Sequence, residues 1–421
     1  MKKQHLFLII FSFFSFFAYS QSDFDFDNPT EPYLNTVTTA APFLLISPDA
    51  RSGGMGDLGV ATSPDNYSQH HNPSKYVFNK EIFGIGIAYS PWLSNLVNDV
   101  HLAYLAGYGK VTENDAIAVS LRYFSLGDIQ FTDREGNPIG SPRNPHEFSL
   151  DFTYSRKLSN IVSMAVTPRF VYSNLSAGFY EANSAVEMKA GVAGAVDISL
   201  FVDKEFIHYK SEIKSSELMF GANISNIGNK ISYVEGADRA DFLPCNLRLG
   251  LSYVINFDDY NTLAMNVETH KLLVPTPPIS YRDTTTNDPV FYGNGKNIND
   301  INPIAGIGRS FYDAAGGYKE NPAGCFKEEM REVNWAFGFE YSYRNILFVR
   351  TGSFLESKWK GARKFANVGV GVKYNIFAID VSYLFALTDM RHPLENTLRF
   401  SLTFLLESFN KDQIKNQGKL N

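Results

Sequence analysis

From residue 81 onward, apolar side chains recur at every second position, segment after segment. That period belongs to a β-strand with one apolar face. In residues 332–344, Val333, Trp335, Phe337, Phe339, Tyr341 and Tyr343 share one face, while Asn334, Ala336, Gly338, Glu340, Ser342 and Arg344 share the other. In residues 397–406, Leu398, Phe400, Leu402 and Phe404 alternate with Thr397, Arg399, Ser401 and Thr403. A two-sheet sandwich also alternates, but it has no use for long segments that set Arg122, Asp151, Arg169, Asp197, Arg248, Glu268, Lys373, Asp380 and Arg399 among small residues opposite the apolar face. A transmembrane barrel requires this combination. Its lipid face is apolar and aromatic-rimmed, its interior is polar, and its tilted strands run to about 9–11 residues.

Fourteen such segments begin near residues 81, 100, 115, 146, 160, 187, 215, 244, 261, 331, 346, 364, 376 and 394. The number is even, as closed antiparallel bacterial barrels require. Connection lengths test the assignment independently. Those after even-numbered segments are brief, except near residues 204–216, where the two strands can extend. Those after odd-numbered segments are long, the longest being residues 275–331. This parity predicts an all-β, 14-stranded antiparallel transmembrane barrel with both termini in the periplasm and long loops at the cell surface.

The composition agrees once the alternation is recognised. Phe 35, Tyr 23 and Trp 3 supply wall and interfacial girdle, and a mean hydropathy of −0.17 averages lipid-facing with lumen-facing residues. A net charge of −6 excludes a basic nucleic-acid binder. Two cysteines, Cys245 and Cys325, exclude a disulfide framework, and they can as well be thiols as a pair. Lys2 and Lys3, the apolar residues 6–17 and Ala18-Tyr19-Ser20 predict a signal peptide over residues 1–20, with the mature chain starting at Gln21.

Residues 21–80 precede the first strand and are expected to form a periplasmic N-terminal segment and a luminal hatch, with residues 81–421 forming the barrel. Gly53, Gly54, Gly56 and Gly59 let backbone approach backbone, which suits a tightly folded plug. A phosphate-cradling loop is excluded because the G-x-x-x-x-G-K-[ST] order is missing. Arg51 and Asp57 are placed to pair with the charged lumen face.

These residues carry a family resemblance. Gly54-Met55-Gly56-Asp57-Leu58-Gly59-Val60-Ala61-Thr62, followed by Asn72-Pro73-Ser74, resembles the hatch of the FadL-like outer-membrane transporters. More specifically, residues 42–57, PFLLISPDARSGGMGD, together with residues 89–99 and 121–127, resemble the PorV (LptO) family of the type IX secretion system. The resemblance implies a non-enzymatic outer-membrane component. It would bind cargo proteins bearing a C-terminal signal domain, take them from a large translocon barrel (SprA/Sov-like) and deliver them to a cell-surface sortase (PorU-like) that attaches them to lipopolysaccharide. The alternative is a FadL-like transporter of hydrophobic small molecules, which needs an apolar lumen pocket and a lateral opening.

Two loop regions are candidates for partner contact. Trp92, Leu93, Leu96 and Val97 have the spacing of a short amphipathic turn, suited equally to a partner or to the membrane interface. Ile304, Ile307, Phe311 and Tyr312 form an apolar cluster in the longest loop, placed to pack into the barrel mouth. No catalytic residue, metal ligand or cofactor is expected. His70-His71 lie close in sequence to Ser68 and Asp65, but a triad is a spatial arrangement and chain proximity does not build one. Two adjacent histidines with Asp65 make a poor metal site. A lipid A deacylase, the enzymatic alternative, has no active-site constellation here.

Overall fold

The computed structural model describes residues 35–91, 99–130, 132, 135–138, 140–175, 189–208, 213–234, 240–278, 280–282, 289–291, 297–315, 322–387 and 397–406. Residues 1–20, read as a signal peptide, lie outside these, as do Trp92, Leu93, Leu96 and Val97.

The alternating segments fold as β1 (Phe83–Pro91), β2 (Val100–Lys110), β3 (Asp115–Leu126), β4 (His146–Lys157), β5 (Val162–Asn174), β6 (Gly191–Ile207), β7 (Ser215–Gly228), β8 (Asn246–Asn256) and β9 (Asn261–Leu272). A small hairpin in the longest loop supplies β10 (Ser280–Arg282) and β11 (Pro289–Phe291). The wall resumes with β12 (Asn334–Tyr343), β13 (Leu347–Leu355), β14 (Lys364–Tyr374), β15 (Phe377–Ala386) and β16 (Leu398–Leu406). Each of the fourteen wall strands begins within four residues of its expected start. All are antiparallel, β9 pairs with β12 across the long loop, and β16 pairs back with β1 to close the barrel. Closure matters because a bilayer offers no water to an unpaired sheet edge.

The side chains follow the expected faces. Ile87, Phe152, Phe170, Trp335 and Ile379 point outward and are exposed to what surrounds the wall. Arg122, Asp151, Arg169, Asp197, Arg248, Glu268, Asp380 and Arg399 are buried inside it. Lys373 sits at the rim of short turns, paired with Glu81 at 2.7 Å. At that rim Arg344 and Asn345 both have positive φ, which suits a tight hairpin turn. The exceptional connection near residue 210 is explained by strand extension: β6 runs to Ile207, which pairs with Ser215.

One irregularity interrupts the wall. Between Val196 and Ile198 the register of β6 against β7 shifts by a residue, and Asn226 of β7 takes a φ of 62°. Beside it Pro168, partnered with Val196, has no N–H to give, and the β4–β5 ladder skips Phe152 and Thr153. Arg169 compensates on the inside. Its guanidinium contacts Asp151 of β4 at 2.7 Å, Asp197 of β6 at 2.9 Å and the Asn226 side-chain oxygen of β7, stitching four strands together at the weakened level.

Residues of the segment before β1 lie in the lumen, leaving a cavity of about 640 Å³ toward the short-turn rim, bordered by Arg51, Asp65, Lys80, Glu217 and Lys373. Here the glycines of the wall do their work: a Cβ on Gly221 would overlap the Val60 carbonyl, and one on Gly352 would overlap the Met55–Gly56 peptide. Gly221→Val should therefore cost about 1–3 kcal/mol or more through overpacking. It should lower the temperature at which the folded band converts in a heat-modifiability gel. Gly308→Ala, where an added Cβ meets nothing within 4 Å, should leave that temperature unchanged.

Candidate functional site

The hatch threads the barrel from one rim to the other. Asn35 N–H donates to the Trp359 carbonyl at 3.2 Å and Ala40 N–H to that of Phe242 at 2.9 Å, both in connections at the long-loop rim. At the opposite end the Lys110 ammonium donates to the Asn79 carbonyl at the short-turn rim, where β1 begins. Parity of loop lengths put both termini in the periplasm, with the hatch inside the lumen. In the structure residues 35–47 lie at the long-loop mouth, where Arg122 near the top of β3 donates to the Leu44 carbonyl at 2.9 Å and the Phe43 ring stacks on Phe124. The hatch is thus tied at both mouths.

Between the rims each expected hatch residue has a defined place. Asp49 caps the short helix α1 (Ala50–Gly53) by accepting from Ser52 N–H at 2.8 Å, which orients Arg51. Arg51 donates to both oxygens of Glu340 on β12, at 2.9 and 3.0 Å, and to Asp65 at 2.6 Å. Glu340 also accepts from Arg350 at 2.6 Å, and Arg350 reaches Asp380 at 2.5 Å. Asp57 pairs with Arg399 of β16. Gly53 lies against the Arg399 side chain, Gly54 against Gly369, and Gly59 against the His71 ring. Gly56, with φ +81°, carries the turn past Ser353. Glu268 of β9 accepts from Gly59 and Val60 N–H at 2.7 and 2.8 Å. Asn72 donates to the carbonyls of Val60 at 2.8 Å and Leu200 at 2.9 Å, joining hatch to β6, and Pro73 opens the turn that follows. The Tyr67 hydroxyl lies 3.0 Å from the Ile87 carbonyl and 2.9 Å from that of Leu402, across the β1–β16 seam.

His70 and His71 are buried in the hatch. They lie on helix α2 (Ser68–His71), where Ser68 donates to Asp65 at 3.0 Å with no imidazole between them. His70 Nδ1 accepts from Arg122 at 2.6 Å. Arginine only donates, so Nδ1 is the acceptor in this contact, and Nε2 faces Arg248 at 3.3 Å. His71 Nδ1 faces Arg248 at 3.1 Å and its Nε2 faces Asp49 at 3.4 Å. Among the described residues no group of His, Cys, Asp and Glu has the geometry of a metal site, and Cys245 and Cys325 form no disulfide.

The long-loop rim carries the exposed chemistry. The longest loop contains helix α3 (Pro303–Arg309) and helix α4 (Pro322–Arg331). Three carboxylates at or just after α4 anchor it: Glu329 and Glu332 pair with Lys271 at 3.0 and 2.8 Å, and Glu328 and Glu332 pair with Lys360 at 2.7 and 2.9 Å. Glu332 also accepts from Thr276 at 2.7 Å, and Asn35 donates to Glu328 at 3.2 Å. The other face of α4 presents Phe326 and Met330, 67% and 52% exposed, four residues apart on one helical stripe. Phe311 and Tyr312 are also exposed, and Lys271 lies over the Phe311 ring. Of the cluster expected in the mouth, only Ile307 packs inward, against a group that includes Phe242, Leu273 and Ile301, while Ile304 is 70% exposed. Phe326, Met330 and the three glutamates were missed by sequence reasoning. Their signal was the Phe-x-x-x-Met stripe beside Glu328-Glu329 after Pro322.

Burial, with Glu329 and Glu332 nearby, pushes the Asp313 carboxyl up to about 7 against the hydrogen bond it accepts from Thr276 N–H. A carboxyl raised above its unfolded value binds its proton more tightly when the loop is folded. The loop therefore gains stability as pH falls from about 7 toward the ordinary aspartate range, and loses it as pH rises through 7. Limited proteolysis within residues 297–331 should be faster at pH 8 than at pH 6, and Asp313→Asn should remove most of the difference. Within the lumen, Arg51→Ala leaves Glu340 and Asp65 short of a partner and should cost about 3–5 kcal/mol. Arg51→Lys should recover only part of this, since it loses the two-pronged contact. Both are measured as shifts of the heat-modifiability transition.

Comparison with known proteins gives one family. The model of the family described as type IX secretion system protein PorV matches residues 29–279. No curated protein matches the chain. Solved structures to which the chain is similar include the Ralstonia pickettii toluene transporter TbuX, at 11% identity and TM-score 0.45 over 86% of this chain and 97% of that one. The Pseudomonas putida toluene transporter TodX has 9% identity and TM-score 0.45 over 89% and 100%. A Pseudomonas aeruginosa FadL homologue has 13% identity and TM-score 0.41 over 89% and 99%.

Proposed function

The chain belongs to the PorV family of type IX secretion system proteins, and from that premise we propose that it is a non-enzymatic docking component of the outer membrane. It binds exported cargo through the cargo's C-terminal signal domain, taking it from the large translocon barrel and handing it to the surface sortase complex. On this reading the long loops face the cell exterior and the short turns the periplasm.

The observation that supports docking rather than conduction is the contrast between the two parts of the molecule. The lumen is occupied by a hatch bonded to the wall on many sides and tied at both mouths. The long-loop rim holds apolar side chains in the open, on a helix fixed from behind by paired charges. Exposed Phe, Tyr and Met on a rigid base are the usual anchors of a protein contact. A transporter of hydrophobic molecules needs an apolar passage, and the lumen here is lined by ion pairs.

Deleting the gene should trap cargo precursors with their signal domains uncleaved. Normal export from the deletion strain would sink the proposal. Complementation with Phe311→Ser, Phe326→Ser and Met330→Ser combined should restore a folded barrel, while cargo recovered by co-purification in mild detergent falls at least about tenfold, since each anchor contributes on the order of 1 kcal/mol or more.

A further inference from the structure

An apolar cleft of about 680 Å³ opens beside the end of β7, lined by Ile227, Gly228, Pro303, Ile304 and Ala305. Its volume lies within the roughly 300–1,000 Å³ typical of ligand sites. The register shift at Asn226 creates its floor. Before the shift the outward residues of β7 are even-numbered, as in the exposed Leu218; after it Asn226 turns inward to Arg169, and Ile227 turns outward opposite Val196. The cleft therefore continues the lipid-facing wall, where the exposed Val196 pairs with Ile227 of its floor.

The opposite wall is the first turn of α3, brought over β7 by a specific tether. The Lys230 ammonium donates to the carbonyls of Ile298 and Asn299 at 2.9 and 3.3 Å, which fixes the loop against the strand end. The two asparagines at the cleft mouth turn their side-chain oxygens onto backbone. Asn229 accepts from Gly194 N–H at 2.8 Å, and Asn302 caps α3 by accepting from Ala305 N–H at 2.8 Å. No charged side chain lines the cleft. Its occupant is thus selected by apolar contact and reached from the bilayer.

We propose that this cleft holds one acyl chain of a membrane lipid from the leaflet on the long-loop side, seating the loop platform on the membrane. The proposal needs only the barrel and its lipid-facing wall, so it stands or falls separately from cargo docking. Ile304→Trp places a reporter in the cleft. In vesicles of phosphatidylcholine brominated along its acyl chains, the emission added to that of Trp92, Trp335 and Trp359 should be strongly quenched, and aqueous iodide should leave it unchanged. Ala305→Trp fills the cleft from an exposed position. Native mass spectrometry after detergent exchange should show a lipid retained by the parent protein and its retention reduced at least fivefold in the variant, with a normal heat-modifiability shift confirming a folded barrel. Quenching by iodide rather than bromine, or equal lipid retention by both proteins, overturns the proposal.

Discussion

Charge removed from water must be paired or hydrogen-bonded, and the organisation of this molecule follows from that constraint. A closed β-wall in lipid turns its apolar side chains out and so turns its polar ones in. Arg51, Arg169, Arg350 and Arg399 are buried in the lumen, where an unpartnered guanidinium is costly. Their partners come from neighbouring strands where the wall can supply them, as with Arg169 between Asp151 and Asp197, and from the hatch where it cannot, as with Arg399 and Asp57. Hatch and wall are two halves of one electrostatic arrangement. Either without the other leaves buried charge.

Threading ties this arrangement at both ends, as a plug entering from one side would not. The segment is held by Arg122 and Phe124 at the long-loop mouth and by Lys110 at the other, with Asn72 and Glu268 between. Withdrawing it toward either mouth breaks bonds along the whole lumen and draws one tied end through the barrel. The ion pairs that join hatch to wall also stiffen the strands carrying the loops.

The wall was legible in the sequence because lipid and lumen impose opposite demands on alternate residues, so Trp335, Phe337 and Phe339 against Ala336, Gly338 and Glu340 leave no choice of register. The roles of Arg51 and Asp57 were partly legible, from their charge beside close-packing glycines. The hatch path was not. An irregular segment has no period, and the direction in which residues 35–47 run is decided by Arg122, Phe124 and the Phe242 carbonyl, which are distant in sequence. Helix α4 was hidden for a related reason. At ten residues it is too short to declare itself by propensity, and the lysines that hold it, Lys271 and Lys360, lie outside the loop.

The single inserted residue in β7 shows how closely wall, lumen and surface are coupled. With the strand in unbroken register, Asn226 would face lipid and Ile227 the polar lumen, each in the wrong solvent. The shift corrects both positions at once: it gives Arg169 a fourth strand to hold, beside the ladder that Pro168 weakens, and it leaves an outward apolar floor where α3 can settle. The same local distortion thus repairs the interior and shapes the exterior. A bulge placed there links the ion pairs of the lumen to the loop that carries α3, through one strand.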